Sequence, residues 1–77
     1  MNQITSQDIE KLLQNDFPNS EISVIDQMGD GYSFTISVKS SQFNKLNLVK
    51  QHQLVMHSLK ELLREKLHAV SIKTMPL

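Results

Sequence analysis

The apolar residues near the start of the chain are spaced as on one face of a helix. Ile9, Leu12 and Leu13 recur at i, i+3 and i+4, which predicts an amphipathic helix that begins near Ser6. Pro18 ends this pattern, because proline lacks the N–H group that a helix needs and disfavours a helical conformation in the preceding residue. The first predicted element is therefore a helix of about three turns.

Apolar and polar residues then alternate with a period of two. Ile22 and Val24 alternate with serine, and residues 32–38 alternate aromatic or aliphatic side chains with serine and threonine. Between the two runs lie Gly29 and Gly31, which adopt the positive φ angles that tight turns require. This pattern predicts a β-hairpin with one buried face.

The second half of the chain predicts a long helix over about residues 46–66 and a final strand over 67–74. A polar connection with Phe43 as its only apolar residue precedes the helix. Val70 and Ile72 lie on one face of the final strand. The predicted apolar face of the helix consists of Leu48, Val49, His52, Val55, Met56, Leu59, Leu62 and Leu63.

The predicted order of elements is α-β-β-α-β, in a single domain that spans residues 1–77. We expect an α+β fold in which the two main helices pack on one face of a three-stranded mixed sheet.

The composition favours a small intracellular protein. The chain has no cysteine, which agrees with a reducing compartment. Its first residues do not have the pattern of a signal peptide, and no run approaches 18 apolar residues. We therefore expect a cytoplasmic protein that does not associate with membranes.

A net charge of zero hides an asymmetry between the two halves of the chain. Residues 1–38 carry one lysine against six acidic residues, whereas residues 39–77 carry seven basic residues against two acidic ones. The basic half could bind phosphates or an acidic partner. Alternatively, the two halves attract each other within one small domain.

His68 is the main candidate for metal chemistry, since it lies where the long helix gives way to the last strand. Imidazole both binds soft metals and titrates near neutral pH. The structural alternative is a histidine that bonds a backbone carbonyl and caps the helix. His52 is interpreted as a hydrogen-bonded core residue and His57 as a solvated one.

The sequence does not predict an enzyme. No nucleophile and base occur at a suggestive spacing, and the chain has only two glycines and no phosphate-binding glycine loop. A binding protein is the favoured class.

Four segments of the sequence resemble the BolA family, most closely its IbaG-like branch. They are residues 29–31 (Gly-Asp-Gly), 40–43 (Ser-Ser-Gln-Phe), 48–55 at the opening of the long helix, and 68–74 (His-Ala-Val-Ser-Ile-Lys-Thr). Their order matches the family, and the resemblance extends from about residue 9 to residue 74.

The resemblance implies a fold related to the class II KH domain and an adaptor that pairs with a monothiol glutaredoxin. Such a pair would share a [2Fe-2S] cluster, with glutathione bound through the partner, in cluster delivery or iron homeostasis. The family's cluster histidine falls on His68. Where relatives carry a second ligand, in the turn between the first strands, this chain carries Ser33, with Asp30 and Tyr32 as further contact candidates.

The resemblance also implies an alternative function, a DNA-binding regulator of transcription or stress response. The candidate nucleic-acid contacts are Lys45, Lys50, Lys66 and Lys73. The isolated protein is expected to hold no cofactor and to be a monomer or a weak homodimer.

Overall fold

The described part of the chain forms two helices, a short 3-10 helix and three strands. A computed structural model describes residues 4–29, 31–63 and 69–77. The elements are α1 (Ser6–Asp16), β1 (Glu21–Asp26), β2 (Ser33–Ser40), the 3-10 helix (Ser41–Phe43), α2 (Leu48–Leu63) and β3 (Ala69–Pro76). The predicted α-β-β-α-β order is confirmed.

The first helix begins with reciprocal hydrogen bonds between Thr5 and Asp8. The Asp8 N–H donates to the Thr5 hydroxyl at 3.1 Å, and the Thr5 N–H donates to the Asp8 carboxylate at 3.0 Å. These bonds satisfy backbone donors that the first turn of a helix leaves unpaired. At the other end, the N–H of Phe17 donates to the carbonyl of Leu13 before Pro18 breaks the pattern. The predicted helix is thus confirmed at both ends.

The three strands form a mixed sheet in the order β1-β2-β3. β1 and β2 are antiparallel, with Ile22 opposite Val38, whereas β2 and β3 are parallel, with Ile36 beside Ile72. Side chains alternate between faces along a strand, so the apolar set faces the helices, whereas Ser23, Thr35, Ser37 and Ser71 lie on the outer face. The predicted hairpin with one buried face is confirmed.

The core lies between the inner face of the sheet and the two helices. Phe17 and Phe43 pack with their ring centroids 5.5 Å apart. Phe43, the apolar residue of the connection before α2, is therefore part of the core. The buried apolar side chains are those of Ile4, Ile9, Leu13, Phe17, Phe34, Ile36, Val38, Phe43, Val55 and Leu59. None of the helices in the described ranges is long and apolar enough to cross a membrane.

The second helix differs from the prediction in its start and in its buried face. It begins at Leu48 rather than at residue 46, because the Asn47 side chain accepts the N–H of Lys50 at 2.9 Å and caps it. Leu48, Val49 and Met56 were expected to be buried but are 60%, 65% and 43% exposed. The predicted end at residue 66 lies outside the described residues.

A polar residue, Gln51, lies on the buried face of α2 together with Val55 and Leu59. Gln51 is only 6% exposed. Its amide nitrogen donates to the carbonyl oxygens of Leu46 at 2.8 Å and Phe43 at 3.5 Å, and its Oε1 accepts the hydroxyl of Thr74 at 2.6 Å. Because its amide has these hydrogen-bond partners, Gln51 can be buried. The predicted apolar face of the helix did not include it.

Candidate functional site

The turn between β1 and β2 is organised by the carboxylate of Asp26. Its two oxygens accept the N–H groups of Gly29 at 3.0 Å and Gly31 at 2.7 Å. Both glycines have positive φ, at 72° and 73°. The sequence reading missed Asp26, although an aspartate shortly before a Gly-x-Gly run is a recognisable signal for such a turn.

Gln27 joins the two strands at the base of this turn. Its N–H donates to the carbonyl of Ser33 at 2.8 Å, and its side-chain amide donates to the hydroxyl of Thr35 at 2.6 Å. The turn is therefore held from within by Asp26 and at its base by Gln27.

The beginning of β3 lies beside this turn. The N–H of Ala69 donates to the carbonyl of Tyr32 at 3.1 Å, and Ala69 is the register partner of Ser33 in the parallel pair. The hairpin turn and the first residue of β3 therefore meet at one end of the sheet. Of the predicted turn contacts, Tyr32 and Ser33 lie at this junction. Asp30 and His68 lie outside the described residues, and His68 directly precedes Ala69 in the sequence.

The two predicted contact residues described at this junction, Tyr32 and Ser33, both carry hydroxyl groups. Tyr32 is 53% exposed and Ser33 is partly buried. Iron–sulfur clusters are held mainly by thiolate and imidazole ligands, so these two residues do not form a cluster site on their own. Across the ranges that the structure describes, no three histidine, cysteine or acidic side chains group to hold a metal.

The other two histidines belong to α2. His57 is exposed, as predicted, and His52 is partly buried beside the core. His52 therefore lies at the margin of the buried face rather than within it.

The predicted nucleic-acid contacts lie on different parts of the surface. Lys45 and Lys50 are exposed around the start of α2, whereas Lys73 lies on the outer face of the sheet. Lys66 lies outside the described residues. On the outer face, Glu21 of the acidic half is opposite Lys39 of the basic half. The two halves therefore place opposite charges together at one point in the sheet.

Comparisons of the sequence with known proteins point to one family. The family described as "BolA-like protein" matches residues 13–76. The uncharacterized protein RP812 of Rickettsia prowazekii is 42% identical over 71 residues, which cover 92% of this chain and 92% of that protein. Protein BOLA2 of Arabidopsis thaliana is 35% identical over 71 residues, covering 91% of this chain and 75% of that protein.

Solved structures agree with this result. BolA1 from Arabidopsis thaliana superposes with a TM-score of 0.81 at 29% identity, covering 95% of this chain and 92% of that one. The NMR structure of RP812 superposes with a TM-score of 0.73 at 40% identity and covers 96% of each chain. With the family match over most of its length, the chain belongs to the BolA family.

Proposed function

We propose that this protein is an adaptor that pairs with a monothiol glutaredoxin in the binding or delivery of a [2Fe-2S] cluster or in iron homeostasis. His68 is the ligand that it contributes, and Tyr32, Ser33 and Asp30 form the adjoining contact surface. Family membership supports this assignment, since the resemblance in the sequence implies that partnership.

One observation carries the proposal. Ala69, to which His68 is joined by a peptide bond, pairs with Ser33 and donates its N–H to Tyr32. A ligand from the β3 side and contacts from the hairpin turn would thus approach a partner from the same end of the sheet. The bonds from Asp26 to Gly29 and Gly31 give this turn a defined shape before any partner binds.

The surface around the turn also suits a protein partner. Ile25, Met28 and Tyr32 are 52%, 73% and 53% exposed, and all lie in or next to the turn. Exposed aromatic and methionine side chains are common where proteins bind other proteins. These side chains would contact the glutaredoxin around the point where His68 is contributed.

The cluster itself would depend on donors from both proteins. The iron of a [2Fe-2S] cluster is held mainly by thiolate and imidazole ligands, and Tyr32 and Ser33 supply neither. His68 would be the single nitrogen donor from this chain, and the thiolates would come from the glutaredoxin and its glutathione. The role of the turn residues is then to contact the partner and position it.

The test is a titration of the protein into a cluster-loaded monothiol glutaredoxin, followed by visible absorption and circular dichroism. We expect the spectrum to change as the ligand set changes, and His68→Ala to abolish that change. His57→Ala is the matched control, since His57 is an exposed histidine on α2. A spectrum identical to that of the glutaredoxin alone, unaffected by His68→Ala, would contradict the cluster role.

A separate measurement tests the partnership without the cluster. Calorimetric titration of the iron-free proteins is expected to give binding that Tyr32→Ala weakens, because the turn contacts do not require iron. Absence of binding in both the iron-free and the cluster-loaded titrations would reject the adaptor function altogether.

DNA binding is the second candidate, favoured by the exposure of Lys45 and Lys50 near the start of α2. Phosphate contacts predict an affinity that falls steeply as salt rises. Lys45→Glu with Lys50→Glu should then weaken binding far more than Lys39→Glu on the outer face of the sheet. Binding that ignores salt, or that responds equally to both sets of changes, argues against this function.

A further inference from the structure

A groove runs along one side of α2, between the helix and the connection that precedes it. It has a volume of about 480 Å³ and is lined by Leu46, Lys50, Gln53, Leu54 and His57. Its helix residues lie on one face of α2, since they are three or four positions apart. Leu54 is 38% exposed on this face, and Leu46 is partly buried. The two leucine side chains therefore give the groove an apolar floor with polar residues around it.

The position of Leu46 is fixed by hydrogen bonds of both its backbone groups. Its N–H donates to the carbonyl of Phe43 at 3.1 Å, and its carbonyl accepts the Gln51 amide at 2.8 Å. Gln51 in turn accepts the hydroxyl of Thr74 near the end of β3. Thr74 is about 16 Å along the strand from Ala69, which lies beside the hairpin turn. The groove is therefore preformed, and it lies at the other end of β3 from that turn.

The charge around this groove has one sign. Between Asp30 and Glu61 the sequence contains no acidic residue, whereas the segment 40–60 has Lys45, Lys50 and Lys60. Lys50 lines the groove, Lys45 directly precedes Leu46, and all three lysines are exposed. A ligand with carboxylates would meet cations on the rim of the groove, whereas a cationic ligand would be repelled. The charge pattern therefore selects an acidic ligand.

We propose that this groove binds an acidic peptide segment of a partner protein. A bulky apolar side chain of that segment packs on Leu46 and Leu54, and the carboxylates on either side of it contact Lys45 and Lys50. A DNA backbone would use the lysines and leave the two leucines without a contact. The proposal does not depend on the proposed glutaredoxin partnership, which concerns the other end of β3.

Titration of the isolated chain with a short synthetic peptide tests the proposal, with the amide signals of ¹⁵N NMR spectra as the readout. The peptide has leucine and phenylalanine at positions i and i+4 and glutamate at the others. The amide signals of residues 50, 53, 54 and 57 should shift, and that of Ser71 on the outer face of the sheet should not. No saturable shift at millimolar peptide, or shifts confined to other residues, would overturn the proposal.

Two control peptides separate the charge from the apolar contact. Replacing the glutamates by glutamine, or both apolar residues by serine, should weaken binding about tenfold. Equal affinity of the three peptides would contradict the proposal, because the groove would then recognise neither feature.

Variants of the chain test the same two contacts from its own side. Lys50→Glu should weaken binding of the acidic peptide about tenfold, and Leu54→Ser about fivefold. Lys73→Glu and Met75→Ser make matched changes at exposed positions on the outer face of the sheet and should leave the affinity unchanged. If Lys73→Glu weakens binding as much as Lys50→Glu, the peptide responds only to the overall charge, and the proposed site is wrong.

Other occupants of the groove would give different results in these measurements. A DNA duplex that shifts the same amides, with an affinity that Lys50→Glu lowers and Leu54→Ser does not, would assign the lysines to phosphates and contradict the proposal. Shifts of these amides as the protein concentration rises without peptide would place a second copy of the chain in the groove, which would also contradict it.

Discussion

The hydroxyl of Thr74 donates a hydrogen bond of 2.6 Å to the side-chain oxygen of Gln51 and joins β3 to α2. The same amide donates to the carbonyl of Leu46 just before the helix. One buried polar side chain therefore holds together the connection, the helix and the last strand. Removing it leaves buried groups without partners, and such groups cost more than the bonds themselves contribute.

We expect Gln51→Leu to lower the free energy of unfolding by about 2 kcal/mol, since the Leu46 carbonyl and the Thr74 hydroxyl lose their partner. Urea denaturation measures this. Gln53→Leu, at an exposed position of the same helix, should change stability by less than about 0.5 kcal/mol. Adding Thr74→Val to Gln51→Leu should cost less than Thr74→Val costs alone, because the two groups are coupled. Additive costs would show that the bond is unimportant.

The turn at Asp26 gives a second prediction. Asp26→Ala should destabilise the protein by about 1 kcal/mol, because the N–H groups of Gly29 and Gly31 lose their acceptor. It should also speed amide exchange at Gly31 and weaken binding to the glutaredoxin. Asp16→Ala, at an exposed aspartate of α1, is the control. It should leave stability, amide exchange at Gly31 and glutaredoxin binding unchanged. Unchanged exchange at Gly31 would mean that the carboxylate does not organise the turn.

A third prediction concerns the backbone at Gly29, which has a φ of 72° and open space around the position of a Cβ atom. Gly29→Ala should cost about 1 kcal/mol of stability through backbone strain alone, without a steric clash. Gly29→Asn should cost less, because asparagine tolerates the left-handed region better than alanine does. Thermal unfolding of the two variants checks the order. An alanine variant as stable as the native protein would contradict the observed turn conformation.

The sheet was predictable because β2 alternates the buried residues Phe34, Ile36 and Val38 with the small polar residues Ser33, Thr35 and Ser37. A period of two is unambiguous in such a segment. The face of α2 was predicted less well, for a physical reason. Apolar periodicity does not detect a buried amide such as Gln51, and it assigns Leu48 and Val49 to the core although both are largely exposed.

The candidate site was predictable only in part. Tyr32 and Ser33 follow from the turn signal and the family resemblance, but their position beside Ala69 depends on parallel pairing between strands far apart in the sequence. Periodicity carries no information about such pairing. Asp26 and Asp30 are both close to the two glycines in the sequence, and the pattern does not show which carboxylate accepts their N–H groups; the structure assigns that role to Asp26.

The central claim is that this chain contributes a nitrogen ligand from His68 to a cluster shared with a monothiol glutaredoxin. The direct measurement is electron–nuclear double resonance on the reduced cluster, with ¹⁵N-histidine incorporated only into this chain. We predict a strong ¹⁵N coupling that persists in His57→Ala and disappears in His68→Ala. A shared cluster with no ¹⁵N coupling, or with a coupling that survives His68→Ala, would contradict the account.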